Sequence, residues 1–339
     1  VRSSVSERAA VWREASGLRP GDPLRPVRFT AALRRGLRAL GERGFPFASA
    51  TVLEQQGDPD TGVVDVAVRL VPGRRARIGD IVVEGATHTR PDALARLSGL
   101  ERGAWVRESS LEEARARLRN RTNLVRRVLP VGLRPSEDQP DAVDVVLQVE
   151  QPSTTGSFAA AIGAVRDDDD ETRISGSVDL LLLDLFGTAR AFEGRWSDDG
   201  ATRRRLDLSY LEPAAFGTGL DLRVAAGQRH EDDAFDTVRG DLRVELPSAS
   251  GRTLSISVGA DRTTFVGESG RVRLRQRFGG GYGTTVRRPA GSGTYGGFRS
   301  AVEAARVVDR QRDPEGAGRV EATVSQTLVE FDGRLARAF

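Results

Sequence analysis

Few residues in this chain could carry out covalent or acid–base chemistry, and none has the spacing for it. Its two histidines, His88 and His230, lie far apart. A histidine-based triad or a zinc centre needs convergent partners, and neither histidine has them nearby. His88 reads as a turn residue before a helix, and His230 as a loop residue after a strand. Cysteine is absent, which excludes disulfides and thiolate metal sites. The acidic run Asp167–Glu171 has carboxylates for Ca²⁺ but lacks the spaced ligands and glycine of a calcium loop, so it reads as a solvated hairpin tip. Gly279-Gly280-Gly281 resembles part of a phosphate loop, but neither a helix nor Lys-Ser/Thr follows, and glycine for strand bending is the better account. No Gly-x-Ser-x-Gly elbow occurs. The expectation is no enzyme activity, no cofactor and no metal.

With 339 residues the chain has room for two or three domains. It contains no methionine, so Val1 reads as an internal or processed start. The 51 basic residues are all arginine and mix evenly with 48 acidic ones, for a net charge of +3. No basic cluster is interleaved with aromatics, so nucleic acid is not an expected partner. No run of 18 apolar residues occurs, which excludes a transmembrane helix. A transmembrane barrel stays open, because its signal is spread over alternating segments of about 10 residues.

The elements that would carry function begin with a diverged repeat. Ser16-Gly17-Leu18 with Gly21 recurs as Ser98-Gly99-Leu100 with Gly103, an offset of about 80 residues. Val63-Val64-Asp65-Val66-Ala67-Val68 likewise resembles Ala142-Val143-Asp144-Val145-Val146-Leu147. Each unit reads as helix, Ser-Gly-Leu turn, helix, strand, turn, strand. Pro91–Leu97 begins with proline in its first turn, and Gly99 is placed as its C-cap. Ser109 or Ser110 is expected to cap a helix running from Leu111 to about Asn120. Arg77–Gly85 reads as a strand leading the second unit; the first unit has no counterpart after Val1. Such a unit closes as two helices on a three-stranded sheet.

From about Gly156 the period changes to two. Leu206, Leu208 and Tyr210 alternate with Asp207 and Ser209; Leu220, Leu222 and Val224 with Asp221, Arg223 and Ala225; Leu242 and Val244 with Arg243 and Glu245. Turn clusters divide the runs at Gly217-Thr218-Gly219, Pro247–Gly251 and Gly267–Gly270. The pattern is an antiparallel meander of roughly ten strands with one apolar and one charged face. A soluble sandwich and a membrane barrel both satisfy that alternation. In the first case the apolar residues meet a second sheet; in the second they meet lipid, and Asp207, Arg223, Arg243, Glu245 and Arg273 line the opposite face.

Several motifs resemble a known family. Gly17–Leu24, the helix end Leu40–Ala48 with its Gly-aromatic-Pro turn, and Val71-Pro72-Gly73 leading to Ile78–Ile81 and Glu84-Gly85 resemble linked POTRA domains. Leu185, Phe186, Gly187, Thr188 and Arg190, preceded by Asp184, are similar to a turn signature of the outer-membrane assembly and translocation family (BamA/TamA-like). Tyr210, Glu212, Pro213, Phe216 and Gly217 resemble that family's next turn. The resemblance implies α+β POTRA modules at 1–75 and 76–151, then part of an all-β antiparallel transmembrane β-barrel at 156–339. The family barrel has about sixteen strands and a late Arg-Gly-Phe/Tyr motif. Tyr295-Gly296-Gly297-Phe298-Arg299 departs from it in order and position, so the span reads as a fragment whose sheet stays open. The implied function is assembly, insertion or translocation of proteins at the bacterial outer membrane, with the N-terminal modules in the periplasm. Partners would be unfolded outer-membrane or secreted clients, the lipid bilayer, and periplasmic or inner-membrane accessory proteins. Clients would add by β-augmentation to Val125–Arg134 (Val125, Arg126, Val128, Val131, Leu133) or to Ser49–Gln55 (Val52, Leu53). Alternatives are a two-partner secretion transporter, or the anchor of a patatin-type lipase.

Overall fold

The repeat visible in the sequence recurs atom for atom in its turns. Gly17 and Gly99 hold φ of +70° and +72°, where a side chain would be strained. The hydroxyls of Ser16 and Ser98, both buried, accept hydrogen bonds from the amides of Leu18 (3.3 Å) and Leu100 (3.2 Å). This computed structural model describes residues 2–137, 139, 141–166, 172–267, 271–287, 294–312 and 319–337. The acidic run Asp167–Glu171 and the turn residues Glu268, Ser269 and Gly270 lie outside them. The chain divides into two compact units, one comprising Val1–Glu84, Ser98–Arg115 and Val128–Val149, the other Gly85–Leu97, Ala116–Arg127 and Glu150–Phe339.

The first repeat contains α1 (Arg2–Ser16), α2 (Pro26–Gly41) and an antiparallel hairpin of β1 (Ser49–Gly57) and β2 (Val64–Val71). Proline opens α2, where its missing amide costs nothing. Ala32, Gly36 and Leu40 form its buried stripe. The second repeat supplies β3 (Arg77–Glu84), α3 (Pro91–Ser98), α4 (Glu108–Asn120), β4 (Arg127–Val128), β5 (Gly132–Pro135) and β6 (Ala142–Glu150). β6 is central: β3 runs parallel on one side, and β4 and β5 share the other. Val143, Val145 and Leu147 of β6 are buried.

Two details differ from the sequence expectation. The strand expected over Val125–Arg134 is divided into β4 and β5, because Pro130 has no amide to donate to a ladder. Helix α4 starts at Glu108, one turn early, so neither Ser109 nor Ser110 is its cap. The carboxylate of Glu42 takes that role, accepting the Ser109 amide and hydroxyl, each at 2.6 Å. A carboxylate at a helix N-terminus satisfies an orphan donor and complements the helix dipole.

The remaining strands are β7 (Gly156–Arg166), β8 (Thr172–Leu185), β9 (Arg190–Asp198), β10 (Arg203–Glu212), β11 (Asp221–Glu231), β12 (Phe235–Pro247), β13 (Arg252–Phe265), β14 (Val272–Arg287), β15 (Thr294–Arg312) and β16 (Arg319–Arg337). They form one ten-stranded antiparallel meander in sequence order, with β7 and β16 as its outer strands. Among the described residues these two do not pair, so the sheet is open. Among the described residues of this part of the chain the only helical segment is a three-residue 3-10 turn, Ala215–Gly217. Gly279–Gly281 lie within β14 as strand residues.

Register decides the faces. Tyr210 pairs with Val224, Val224 with Leu242, and Leu242 with Val258. Leu222 pairs with Val244, which pairs with Ile256. Arg223 pairs with Arg243 on the opposite face. The apolar face is left uncovered: Phe158 is 69 % exposed, Ile162 87 %, Ile256 59 % and Phe278 60 %. A sandwich would bury such residues against a second sheet.

Replacing Glu42 with Ala should uncap α4 at a cost of about 0.5–2 kcal/mol. Amide hydrogen exchange over residues 108–112 of the intact chain should then quicken several-fold. Unchanged exchange there would mean that Glu42 is not the cap.

Candidate docking edges and turn cluster

Two sheet edges contain the residues singled out for client binding, and they are built differently. β1 offers nine residues without proline, with a bulge between Val52 and Glu54. Val52 (41 %) and Leu53 (51 %) are well exposed. Among the described residues no strand other than β2 pairs with β1. In the second repeat, Val125 and Val128 are buried, leaving Arg126 exposed and Val131 and Leu133 half-buried. The Arg126 amide donates to the Glu150 carbonyl (2.7 Å), and that of Leu129 to the Gln148 carbonyl (3.0 Å). Pro130 and Pro135 interrupt this edge, and broken, proline-bearing edges resist strand addition.

The barrel-type motifs form two turns at the same end of the meander. In the β8–β9 turn, buried Asp184 accepts the Ala189 amide at 2.7 Å through one oxygen and the Thr89 hydroxyl at 2.8 Å through the other. The Thr188 hydroxyl donates to the Leu185 carbonyl at 2.6 Å. In the β10–β11 turn, buried Asp221 accepts the Ala214 amide at 3.0 Å and a two-point ion pair from Arg121, with Nη2 at 2.8 Å from Oδ1 and Nη1 on Oδ2. The Thr218 hydroxyl donates to the Ala215 carbonyl at 2.7 Å. Both turns read Phe-Gly-Thr, and Phe186 and Phe216 sit at φ of +55° and +56°.

Between the motifs, Arg190 of the first meets Glu212 of the second, Nε to Oε2 at 2.7 Å, and the Tyr210 hydroxyl donates to the same oxygen at 2.7 Å. Pro213 follows without an amide to satisfy. Gly187 meets the 88–90 segment directly: its carbonyl accepts the Arg90 amide at 2.8 Å, and a Cβ there would lie 2.8 Å from the His88 oxygen. Gln151 ties the same segment down, its carbonyl accepting the amides of Thr87 (2.7 Å), His88 (2.9 Å) and Thr89 (3.3 Å). The Asn120 amide reaches the Ser248 and Ala249 carbonyls in the β12–β13 turn. Three successive same-end turns are thus held by residues 87–90, 120 and 121.

The sequence reading brought out the motif residues but not Thr89, Arg121, Gln151 or Asp221 as their partners. One signal was available: Asp184 stands just before its Phe-Gly-Thr, and Asp221 just after the other. His230 lies at the end of β11 rather than after it, with Nε2 2.7 Å from the Asp232 carboxylate.

Residues 76–151 match the family model described as POTRA, surface antigen variable number repeat. The chain is 24 % identical over 208 residues to the outer membrane protein assembly factor BamA of Neisseria meningitidis serogroup B (strain ATCC BAA-335 / MC58), covering 60 % of this chain and 25 % of that protein. The chain thus spans about a quarter of the length of this curated relative. The crystal structure of BamA from Haemophilus ducreyi lacking POTRA domains 1–3 superposes with a TM-score of 0.57 at 15 % identity, over 95 % of this chain and 68 % of that one. CdiB from Acinetobacter baumannii gives a TM-score of 0.49 at 11 % identity, over 98 % of this chain and 66 % of that one.

Two substitutions test the turn cluster. Gly187→Ala combines a positive φ with a clash against backbone, and should cost about 1–3 kcal/mol while releasing the Arg90 amide to exchange. Asp221→Ala should cost about 3–5 kcal/mol in urea unfolding of the detergent-solubilised chain, since Arg121 is left without its partner. Adding Arg121→Met should recover part of that loss, and strict additivity would show that the two residues are not coupled.

Proposed function

We propose that the chain is a BamA-like protein, with POTRA domains joined to an outer-membrane β-barrel, and that it assembles, inserts or translocates proteins at the bacterial outer membrane, without catalytic chemistry of its own; the POTRA match, the similarity to BamA and the fold support this reading. The observation that carries this reading is the combination of a POTRA domain at 76–151 with a meander whose apolar face is uncovered. That face suits lipid, and the charged face suits a wet lumen. The N-terminal modules stand in the periplasm and receive unfolded outer-membrane or secreted clients, with help from periplasmic or inner-membrane accessory proteins.

Clients join by β-augmentation, which needs main-chain donors and acceptors rather than a particular sequence. Of the two edges, β1 is the stronger acceptor, because it runs nine residues without proline. The β4–β5 edge is short, and its valines at 125 and 128 point away from solvent. Strand β7 forms one side of the seam where client strands enter the sheet.

The absence of native cysteine makes cross-linking a clean test. Leu53→Cys, Leu133→Cys and, as a loop control, Gly62→Cys are each mixed with an unfolded outer-membrane barrel protein carrying one cysteine. Disulfide yield at Leu53 should exceed that at Leu133 by about three- to tenfold, the equivalent of one or two net main-chain hydrogen bonds. Equal yields at all three positions would remove strand addition from the account.

A further inference from the structure

The first compact unit holds an open cavity of about 520 Å³, a size that takes a small ligand or a few side chains. Its floor is apolar, with Leu40, Phe45 and Trp105. Its rim carries Arg8, Arg43, Arg75 and Arg107, facing Glu7 and Glu42. Both carboxylate oxygens of Glu42 are taken by Ser109, at 2.6 Å each. Among the described residues none of the four arginines makes an ion pair. In a chain whose charges are otherwise well mixed, this is a local excess of positive charge over an apolar floor.

The site is built before any ligand arrives. The Val106 amide donates to the Ala76 carbonyl at 3.0 Å, and the Ala76 amide to the Gly44 carbonyl at 2.9 Å. Gly44 holds a φ of +91°, and a Cβ there would lie 3.1 Å from the Arg75 side chain. Glycine thus lets Arg75 pass close by, with Nε donating to the Arg43 carbonyl at 3.0 Å and the guanidinium 3.8 Å from the centre of the Trp105 ring. Arg8 lies 4.7 Å over Phe45. Two arginines therefore lie against the aromatic floor, while Arg43 and Arg107 are exposed at the rim.

This arrangement selects a ligand that is apolar at its centre and acidic around it. The guanidiniums come from α1, from the α2–β1 turn and from the segments beside Ala76 and Val106. Several carboxylates suit them better than the one head of a simple amphiphile. Unfolded clients bring no fixed sequence, and the β1 edge reads only their main chain. A cavity that reads charge and side-chain bulk suits a dedicated partner instead.

We propose that this cavity is the docking site for a short acidic segment of a partner protein, with a bulky apolar side chain on the floor and flanking Asp or Glu residues on Arg43 and Arg107. The site goes beyond the assembly reading; only the partner's place in that work rests on it.

The intact chain, held in phosphatidylcholine nanodiscs, is titrated with a fluorescein-labelled peptide whose central tryptophan is flanked on each side by aspartate and glutamate. Anisotropy should show saturable binding that weakens as salt is raised. Serine in place of the peptide's tryptophan should weaken binding about tenfold or more. Arg43→Gln/Arg107→Gln should weaken it about three- to thirtyfold, with amide exchange at Val106 unchanged, which shows the junction intact. Arg34→Gln, at an exposed arginine elsewhere on α2, should leave binding as it was. Equal weakening by Arg34→Gln and the double variant would mean attraction to charge in general, and overturns the docking site. Saturable binding of hexyl phosphate at the same arginines, without saturable binding of the peptide, assigns the cavity to a small amphiphile and also overturns it. Cross-linking at Leu53 reads main-chain addition and involves none of these arginines, so the docking site and the assembly reading can fail separately.

Discussion

The hydrogen bonds that Asp184 and Asp221 accept inside their own turns govern everything above them in the sheet. Side chains alternate with a period of two, so a slip of one residue in a hairpin would send a whole strand's apolar set to the opposite face. A carboxylate that closes a turn onto a particular amide, Ala189 in one case and Ala214 in the other, removes that freedom. Both carboxylates also hold a partner from outside the strands, Thr89 and Arg121. Register and anchoring are therefore carried by the same two groups.

Strand order, the facing of the apolar residues and the repeat of the α/β units were legible in the sequence because each rests on local pattern. Leu206, Leu208 and Tyr210 declare a face by alternation alone, and Ser98-Gly99-Leu100 declares a turn by composition. The cap on α4 was not legible, since Glu42 reaches Ser109 from far along the chain. Nor was the Arg121–Asp221 pair, as arginine and aspartate are scattered throughout and no period marks these two. The turn motifs showed which residues matter but not what they hold, because Gln151 and Thr89 belong to other segments.

The two α/β edges show how a strand can be kept open or closed to addition. Pro130 and Pro135 remove donors from one and divide it, so its backbone offers only short ladders. β1 has no proline, and its bulge at Val52/Glu54 twists it without ending it. Backbone chemistry alone thus ranks two otherwise equivalent positions of a repeated module.

The strands lengthen along the chain, from nine residues in β9 to 19 in both β15 and β16. At about 3.3 Å per residue a 19-residue strand measures roughly 60 Å. Even tilted by about 45°, it rises well above a lipid-facing band about 25 Å tall. The last hairpin must then stand clear of the bilayer by several residues per strand. In the proposed orientation, with the N-terminal modules in the periplasm, that crest is the part of the sheet that faces the surroundings of the cell.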